Sequence, residues 1–495
     1  MKILLIDPPF KIFTGFVNFY FPMGLGSLAA VLQNKGHEVA IFEVDALKKG
    51  SDIDFSEEYK RLELYKKGLN NDRHWVWQEI KNVLGNYKPD LVGITAMTPK
   101  FGSVLKTAEV VKEYNPKLSV FVGGPHPTLL PEQTLKSENI NIAVRGEGER
   151  TILELVKAIE NKSNLQKVKG ISFKRSGEIF HNPFREPIQN LDDIPFPARN
   201  LLMNPQNYTS EDMGAIMASR GCPFNCTYCC HFWGKKVRFR SPKNVAEEIK
   251  EVKNQYDTQQ FEFKDDTFTV NRNWVLELSE RLVSEKIKIN WGCTTRANLL
   301  DEELAKKMQE AGCNIIRIGV ETGSERILKE TKKGVTFEQM KKAAKILNKI
   351  GIFWSGYFMM GLPTETEEDI LKTYKFMKEL NPYYAGLGVY NPFPKTELFD
   401  QGVEMKLLHT NVELDHFFKT NPKDYFFINP DRRTLNIPKE KFDELLNFMM
   451  GAFHRHNTQL ENIVRRGLAR RKIYLTDFGL LLSDVKKALK WMLKV

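Results

Sequence analysis

The chain has 495 residues, which suits two or three domains, and with 42% hydrophobic and 27% charged residues and no long apolar run it reads as globular, excluding a membrane-spanning protein. Six Cys in so long a chain, three of them clustered, do not make a disulfide framework, and a reduced interior is implied. The net charge of +11 is weak evidence for nucleic acid without a recognition motif, so no nucleic-acid partner is expected. The start, MKILLIDPPF, runs into Asp7, Pro8 and Pro9 after a short apolar stretch. That is a first strand, too short for a secretory signal, and the expected location is cytoplasmic. Strands follow at 3–7, 38–44, 91–95, 119–123 and 142–144, with helices at 26–35, at 104–114 and from 151, and a polar insertion between the second and third strands. This alternation predicts an α/β fold whose first domain, 1–165, is a doubly wound, Rossmann-like parallel sheet with its ligand at the carboxyl ends of the strands. Gly24, Gly26 and Ala29 match GxGxxA, but the first strand ends near Asp7, so a nicotinamide site is a poor fit. No GxxxxGK[ST] phosphate loop is present.

Residues 166–208 carry Pro183, Pro187, Pro195 and Pro197 and read as a linker. A second alternation then predicts strands at 215–219, 261–263, 288–293, 315–320, 353–359 and 386–390. Together they make a partial β/α barrel over 209–402 with its site at the carboxyl ends. The last region, 403–495, is expected to be mostly helical. From His454 to Val495 it holds ten Lys or Arg against three Asp or Glu, a surplus of seven. Leu481, Leu482, Val485, Leu489, Met492 and Leu493 fall near helical spacing among lysines. Two readings stay open: an interfacial helix on an anionic membrane, at the inner face, and a terminal helix docked on the barrel.

Chemistry concentrates in SRGCPFNCTYCC, residues 219–230. Cys222, Cys226 and Cys229 bring three thiolates onto one loop, and thiolates hold iron–sulfur clusters. Three ligands on a four-iron cube leave one iron open to a substrate or cofactor. Zinc and ligand-free thiols are the alternatives; a structural zinc site wants four ligands, and no second CxxC pair exists, although His231 or Cys230 offers a fourth. Adjacent residues point apart, so Cys230 reads as a packed thiol.

The run CxxxCxxC with Tyr228 before its last Cys resembles the radical S-adenosylmethionine superfamily. The resemblance implies a [4Fe-4S] cluster on Cys222, Cys226 and Cys229 whose open iron chelates S-adenosylmethionine. Reductive cleavage then yields a 5′-deoxyadenosyl radical that abstracts a substrate hydrogen atom, with the electron coming from an external donor such as ferredoxin or flavodoxin. It also implies a set of S-adenosylmethionine-binding positions: Tyr228; Asp265 and Asp266 in FKDDTF at the amino group; Arg296 in TTRANL and Glu321 in GVETGSERIL at ribose and carboxylate; and Gly361 in GYFMMGLPTET beside adenine. Each Asp or Glu singly also suits a helix cap.

The first domain resembles the cobalamin-binding domain that precedes the radical domain in one subgroup, through PMGLGSLAAVLQNKGHEV, PDLVGITAMTP, VGGPHPT and RGEGE. Thr95, Thr98, Gly123 and Gly124 are the implied cobalamin-binding residues, hydroxyls for a nucleotide tail and glycines for close backbone approach. Turn glycines in a sheet that has lost its cofactor are the alternative. The DxHxxG motif is absent, and His126, flanked by prolines, reads as a turn residue. What the resemblance implies is a cobalamin-dependent radical methyltransferase acting on an unactivated carbon. A ring-forming oxidative cyclase of the same architecture is the alternative, with a non-catalytic cobalamin-binding protein behind it. No residue is marked as catalytic beyond the cofactor ligands, and a small molecule or a lipid is the expected substrate.

Overall fold

The computed structural model describes residues 1–15, 20–47, 55–410, 412–422, 426–429, 431–474, 481–482 and 485–486. The first sheet joins β1 (Lys2–Asp7), β2 (Glu38–Glu43), β3 (Leu91–Thr95), β4 (Ser119–Gly123), β5 (Ile142–Val144), β6 (Ile171–Arg175) and β7 (Glu178–His181) in the order β2-β1-β3-β4-β5-β6-β7. β1 to β5 are parallel. Because side chains alternate along a strand, Leu4 and Ile6 pack on one face with helices Trp75–Tyr87 and Phe101–Tyr114. Ile3 and Leu5 pack on the other with helices Met23–Gln33 and Gly148–Glu160. Burial of both faces explains the unbroken apolar runs, and each such Leu or Ile contributes about 1.5–3 kcal/mol. β1 pairs with β2 on one side and β3 on the other, so the strand order reverses between β1 and β3, and the crevice of the sheet lies at their carboxyl ends.

Three expectations need correction. The helix expected from residue 26 starts at Met23, so Gly24 and Gly26 lie inside it, and a Cβ on Gly26 would strike the Phe21 ring. That glycine serves packing, which removes the loop a dinucleotide needs. The polar insertion folds as helices Phe55–Leu69 and Trp75–Tyr87. The stretch read as an irregular linker opens with the antiparallel hairpin β6–β7, turning at Ser176 and Gly177, both with positive φ, and extending the first sheet.

The second sheet contains β8 (Ala215–Ile216), β11 (Gln260–Phe263), β12 (Asn290–Thr295), β13 (Cys313–Glu321), β14 (Phe353–Met360) and β15 (Tyr384–Val389), all parallel and in chain order. It is a barrel wall left open between β8 and β15. A two-stranded ribbon, β9 (Ser219–Arg220) with β10 (Arg238–Phe239), carries the cysteine loop between its legs. Phe261, Phe263, Trp291, Trp354 and Phe358 face the surrounding helices and are nearly fully buried. The alternate positions face inward, where Arg317 of β13 reaches Glu262 of β11 across Gly292, whose missing side chain leaves room for the pair. Fully buried Glu248 ties Arg240 to Arg199, and Arg199 in turn holds the carbonyls of Met213 and Ala215, fixing the incoming chain to the first barrel strand.

The C-terminal region contains helices Lys439–Thr458 and Leu460–Tyr474. Asn457 bonds the backbone N–H and carbonyl of Ala385 at 2.9 and 2.8 Å, docking the first of them on β15. The chain before them returns to the first sheet, where Phe417 is fully buried against Phe101. Leu489, Met492 and Leu493 lie outside the described residues, while Leu482 and Val485 are exposed. Among the described residues no helix is long and apolar enough to cross a membrane.

Candidate functional site

The cysteine loop leaves β9 through Gly221, whose φ of 105° and approach to the Lys236 carbonyl only glycine tolerates. Cys222 is half-buried with its Sγ 3.6 Å from the Thr267 hydroxyl, Cys226 is buried and Cys229 is exposed. A hydrogen bond from Cys229 pulls the Cys226 thiol down to about 5 against its burial, helped by the charges of Lys333 and Arg296. The same bond pushes the Cys229 thiol up, so the pair keeps one proton between its two sulfurs. Cys230 is only half-buried, yet desolvation pushes its thiol up to about 11 and no charge opposes it. Among the described residues no group of three His, Cys, Asp or Glu side chains is arranged around a single ion.

The implied S-adenosylmethionine residues divide in the structure. Asp265 is buried and spends both oxygens on the protein, accepting from the Ser219 hydroxyl at 2.5 Å and from the Ala218 N–H at 3.2 Å. Desolvation raises it to about 6. It braces the base of the loop, and the neighbouring Asp266 is the exposed one of the two. Arg296 has both terminal nitrogens engaged: its guanidinium lies 3.7 Å from the Phe224 ring centre and donates to Cys226 Sγ at 3.4 Å and to the Lys333 carbonyl. It is a positioning residue under the loop. Glu321 sits at a β-bulge in β13 with φ 71° and accepts from Lys333 Nζ at 2.7 Å. Lys333 and Glu365 are the residues that sequence reasoning missed, and neither belongs to a spacing that would have marked it.

Tyr228 packs with Ile327, Leu362, Tyr390 and Leu398. Three buried polar atoms around the loop have no protein partner: the hydroxyls of Thr227 and Tyr390 and Nε of Arg296. Buried polar groups are nearly always satisfied, so this cluster of unmet groups marks a place built for a polar guest. Gly361 has φ 88°, but its N–H already donates to Glu365 Oε2 at 2.5 Å, as does that of Leu362 at 3.2 Å. Glu365 is fully buried, and desolvation raises its carboxyl to about 8. A folded pKa above the ordinary 4.5 makes the acid stabilising below about pH 4.5 and progressively costly as pH rises to 8. Thermal unfolding of Glu365→Gln should therefore lose less Tm between pH 5 and pH 9 than that of the parent; equal slopes would refute the role.

In the first sheet, Thr95 ends β3 and Gly123 ends β4, and Gly124 has φ 107° with its Cα packed against the Ala96 backbone, where a Cβ would stand 2.9 Å from the carbonyl oxygen. Thr98 Oγ1 lies 3.1 Å from His126 Nδ1. His126 is wholly buried and stacked on Phe101 at 3.7 Å, and desolvation lowers it to about 3. A neutral core histidine beneath the turn fits the turn reading. Beside it, Met97 is half exposed at the β1/β3 crevice, an apolar surface on which a flat ligand can lie. Residues of both domains meet at the barrel mouth, where Lys264 Nζ stands 3.7 Å from the Tyr20 ring centre.

Known proteins share this organisation. The radical SAM superfamily matches residues 216–377, and the B12 binding domain matches residues 12–156. An uncharacterized methyltransferase of Pyrococcus horikoshii is 34% identical over 454 residues, covering 90% of this chain and 91% of that protein. The anaerobic magnesium-protoporphyrin IX monomethyl ester cyclase of Rubrivivax gelatinosus is 32% identical over 390 residues, covering 76% and 67%. The fold also resembles the solved radical S-adenosylmethionine methyltransferase TsrM of Kitasatospora setae, at a TM-score of 0.65, 19% identity, and coverage of 82% of this chain and 76% of that one.

Proposed function

The chain belongs to the radical S-adenosylmethionine superfamily, in the branch that carries a B12 binding domain, and on that premise we propose that it transfers a methyl group to an unactivated carbon of a small-molecule or lipid substrate. It is an enzyme that works with a [4Fe-4S] cluster, S-adenosylmethionine and cobalamin. The observation that carries the reading is the Tyr20–Lys264 contact, which brings the first loop of the B12 domain against the barrel mouth. On this reading a group held on the first sheet and a group held on the cysteine loop face one substrate space.

Cys222, Cys226 and Cys229 would hold the cluster, and Thr95, Thr98, Gly123 and Gly124 would border the corrinoid. When bound, these cofactors supply the electron, the hydrogen-abstracting radical and the transferable methyl group. The protein's part is placement. Arg296 and Lys333 keep positive charge beside Cys226. Asp265 braces the loop through Ser219 and Ala218. The barrel wall around Glu262 and Arg317 gives the substrate a polar floor. An external one-electron donor fits the lysine-rimmed depression formed by Phe224, Lys329 and Lys332 beside the loop. Exposed Leu460, Val464 and Leu468, four residues apart among arginines, favour a peripheral contact with an anionic surface.

Ring formation is the second reading, favoured by the 32% identity to the Rubrivivax cyclase. Mass analysis of small molecules and lipids from cells with and without the protein separates the two. A product heavier than its precursor by one methylene is expected; a product lighter by hydrogens alone would replace methyl transfer with cyclisation.

A further inference from the structure

The RGEGE segment has a role that its place in the first domain does not suggest. Arg220 and Arg238 are directly paired residues on the two legs of the ribbon that carries the cysteine loop. Like charges opposite one another on a ribbon are destabilising, and both side chains are withdrawn from water at 9% and 4% exposure. Their counter-charges come from the other domain. Glu149 Oε1 lies 2.5 Å from Arg220 Nη2, and Glu147 lies 3.4 Å from Arg220 and 2.5 Å from Arg238. Glu149 also accepts from the Ser27 hydroxyl at 3.0 Å, and Glu147 from the Ile188 N–H at 2.9 Å. The two carboxylates of the first domain thus neutralise the paired arginines of the ribbon, and the cysteine loop hangs from both of its legs.

We infer that Glu147, Glu149, Arg220 and Arg238 form an interdomain latch that sets the position of the cysteine loop relative to the B12 domain, and with it the spacing of the two metal cofactors. The four are positioning residues: none ligates a cofactor, and each acts through the ribbon. A buried, hydrogen-bonded set of this kind adds little net stability against apolar packing but specifies one geometry. The inference rests on the reading that this chain holds both a cluster and a corrinoid.

The test uses the full-length protein, reconstituted with iron and sulfide and loaded with hydroxocobalamin, then reduced so that cluster and cobalt are both paramagnetic. Dipolar electron paramagnetic resonance between them should give one narrow distance distribution in the parent. In Glu149→Gln, iron and corrinoid contents should stay within twofold of the parent while that distribution broadens at least twofold. Pairing Arg220→Glu with Glu149→Arg should narrow it again. An unchanged distribution in Glu149→Gln overturns the inference, whereas parent protein that takes up no corrinoid overturns the underlying reading and the inference with it. A second measurement needs no variant: hydroxocobalamin added to the parent should slow amide exchange across residues 219–239. Unaltered exchange there would equally overturn the latch.

Discussion

Replacing Cys222, Cys226 or Cys229 with Ala is expected to abolish the cluster, whereas Cys230→Ala should assemble it normally. The difference follows from where each thiol sits. Cys226 has the positive charges of Lys333 and Arg296 beside it, while burial raises the Cys230 thiol with no charge opposing it. Metal ligands must be deprotonated, a form that the positive charges beside Cys226 favour and the surroundings of Cys230 oppose. Removing an outer partner of a ligand typically costs about 10–100-fold in metal affinity, and Arg296→Met should fall in that range. Loss of a direct ligand should exceed it, leaving iron near background after anaerobic reconstitution. Iron and sulfide analysis, with the spectrum of the reduced protein before and after S-adenosylmethionine, reads the result. A cluster that survives in Cys226→Ala but disappears in Cys230→Ala would overturn the assignment.

The central strands of the first sheet were legible because they are buried on both faces and so appear as apolar runs, and the cysteine loop was legible because ligand spacing is local. The β6–β7 hairpin was readable in principle, since Ser176 and Gly177 form a two-residue turn between alternating segments. The prolines that follow dominated the composition and hid it. The roles of Arg296 and Asp265 could not be read, because a strand-end residue looks the same whether it faces a ligand or braces a loop. Only the packing of Arg296 on Phe224, and the use of both Asp265 oxygens by Ala218 and Ser219, separates the two. The latch lay furthest from reach. Arg220 and Glu149 are 71 positions apart, and no period or motif links a carboxylate in one domain to a guanidinium in the next.

Gly124→Val should eliminate corrinoid uptake while leaving cluster assembly intact. A Cβ at this position would stand 2.9 Å from the Ala96 carbonyl oxygen and 3.4 Å from Thr95 Oγ1, and φ of 107° is a conformation that L side chains rarely adopt. Such backbone strain costs about 1–3 kcal/mol, and a branched side chain adds a clash with backbone that cannot rotate away. Relief requires the β4 turn to move off the end of β3. That motion disturbs Thr95 and, through the His126 N–H bonded to the Ala96 carbonyl, the start of the Pro125–Leu129 helix. All of these border the β1/β3 crevice, whereas the thiols lie on the separate β9–β10 ribbon, so the damage should stay on the corrinoid side. Visible absorbance after loading with hydroxocobalamin should fall to background in Gly124→Val and only partly in Gly124→Ala, with iron content equal to the parent in both. Parent-level corrinoid in Gly124→Val would mean that the crevice is not the binding site. Corrinoid would then be held elsewhere on the chain, and only a parent protein that takes up none under any loading condition would move the ring-forming reading ahead of methyl transfer through cobalt.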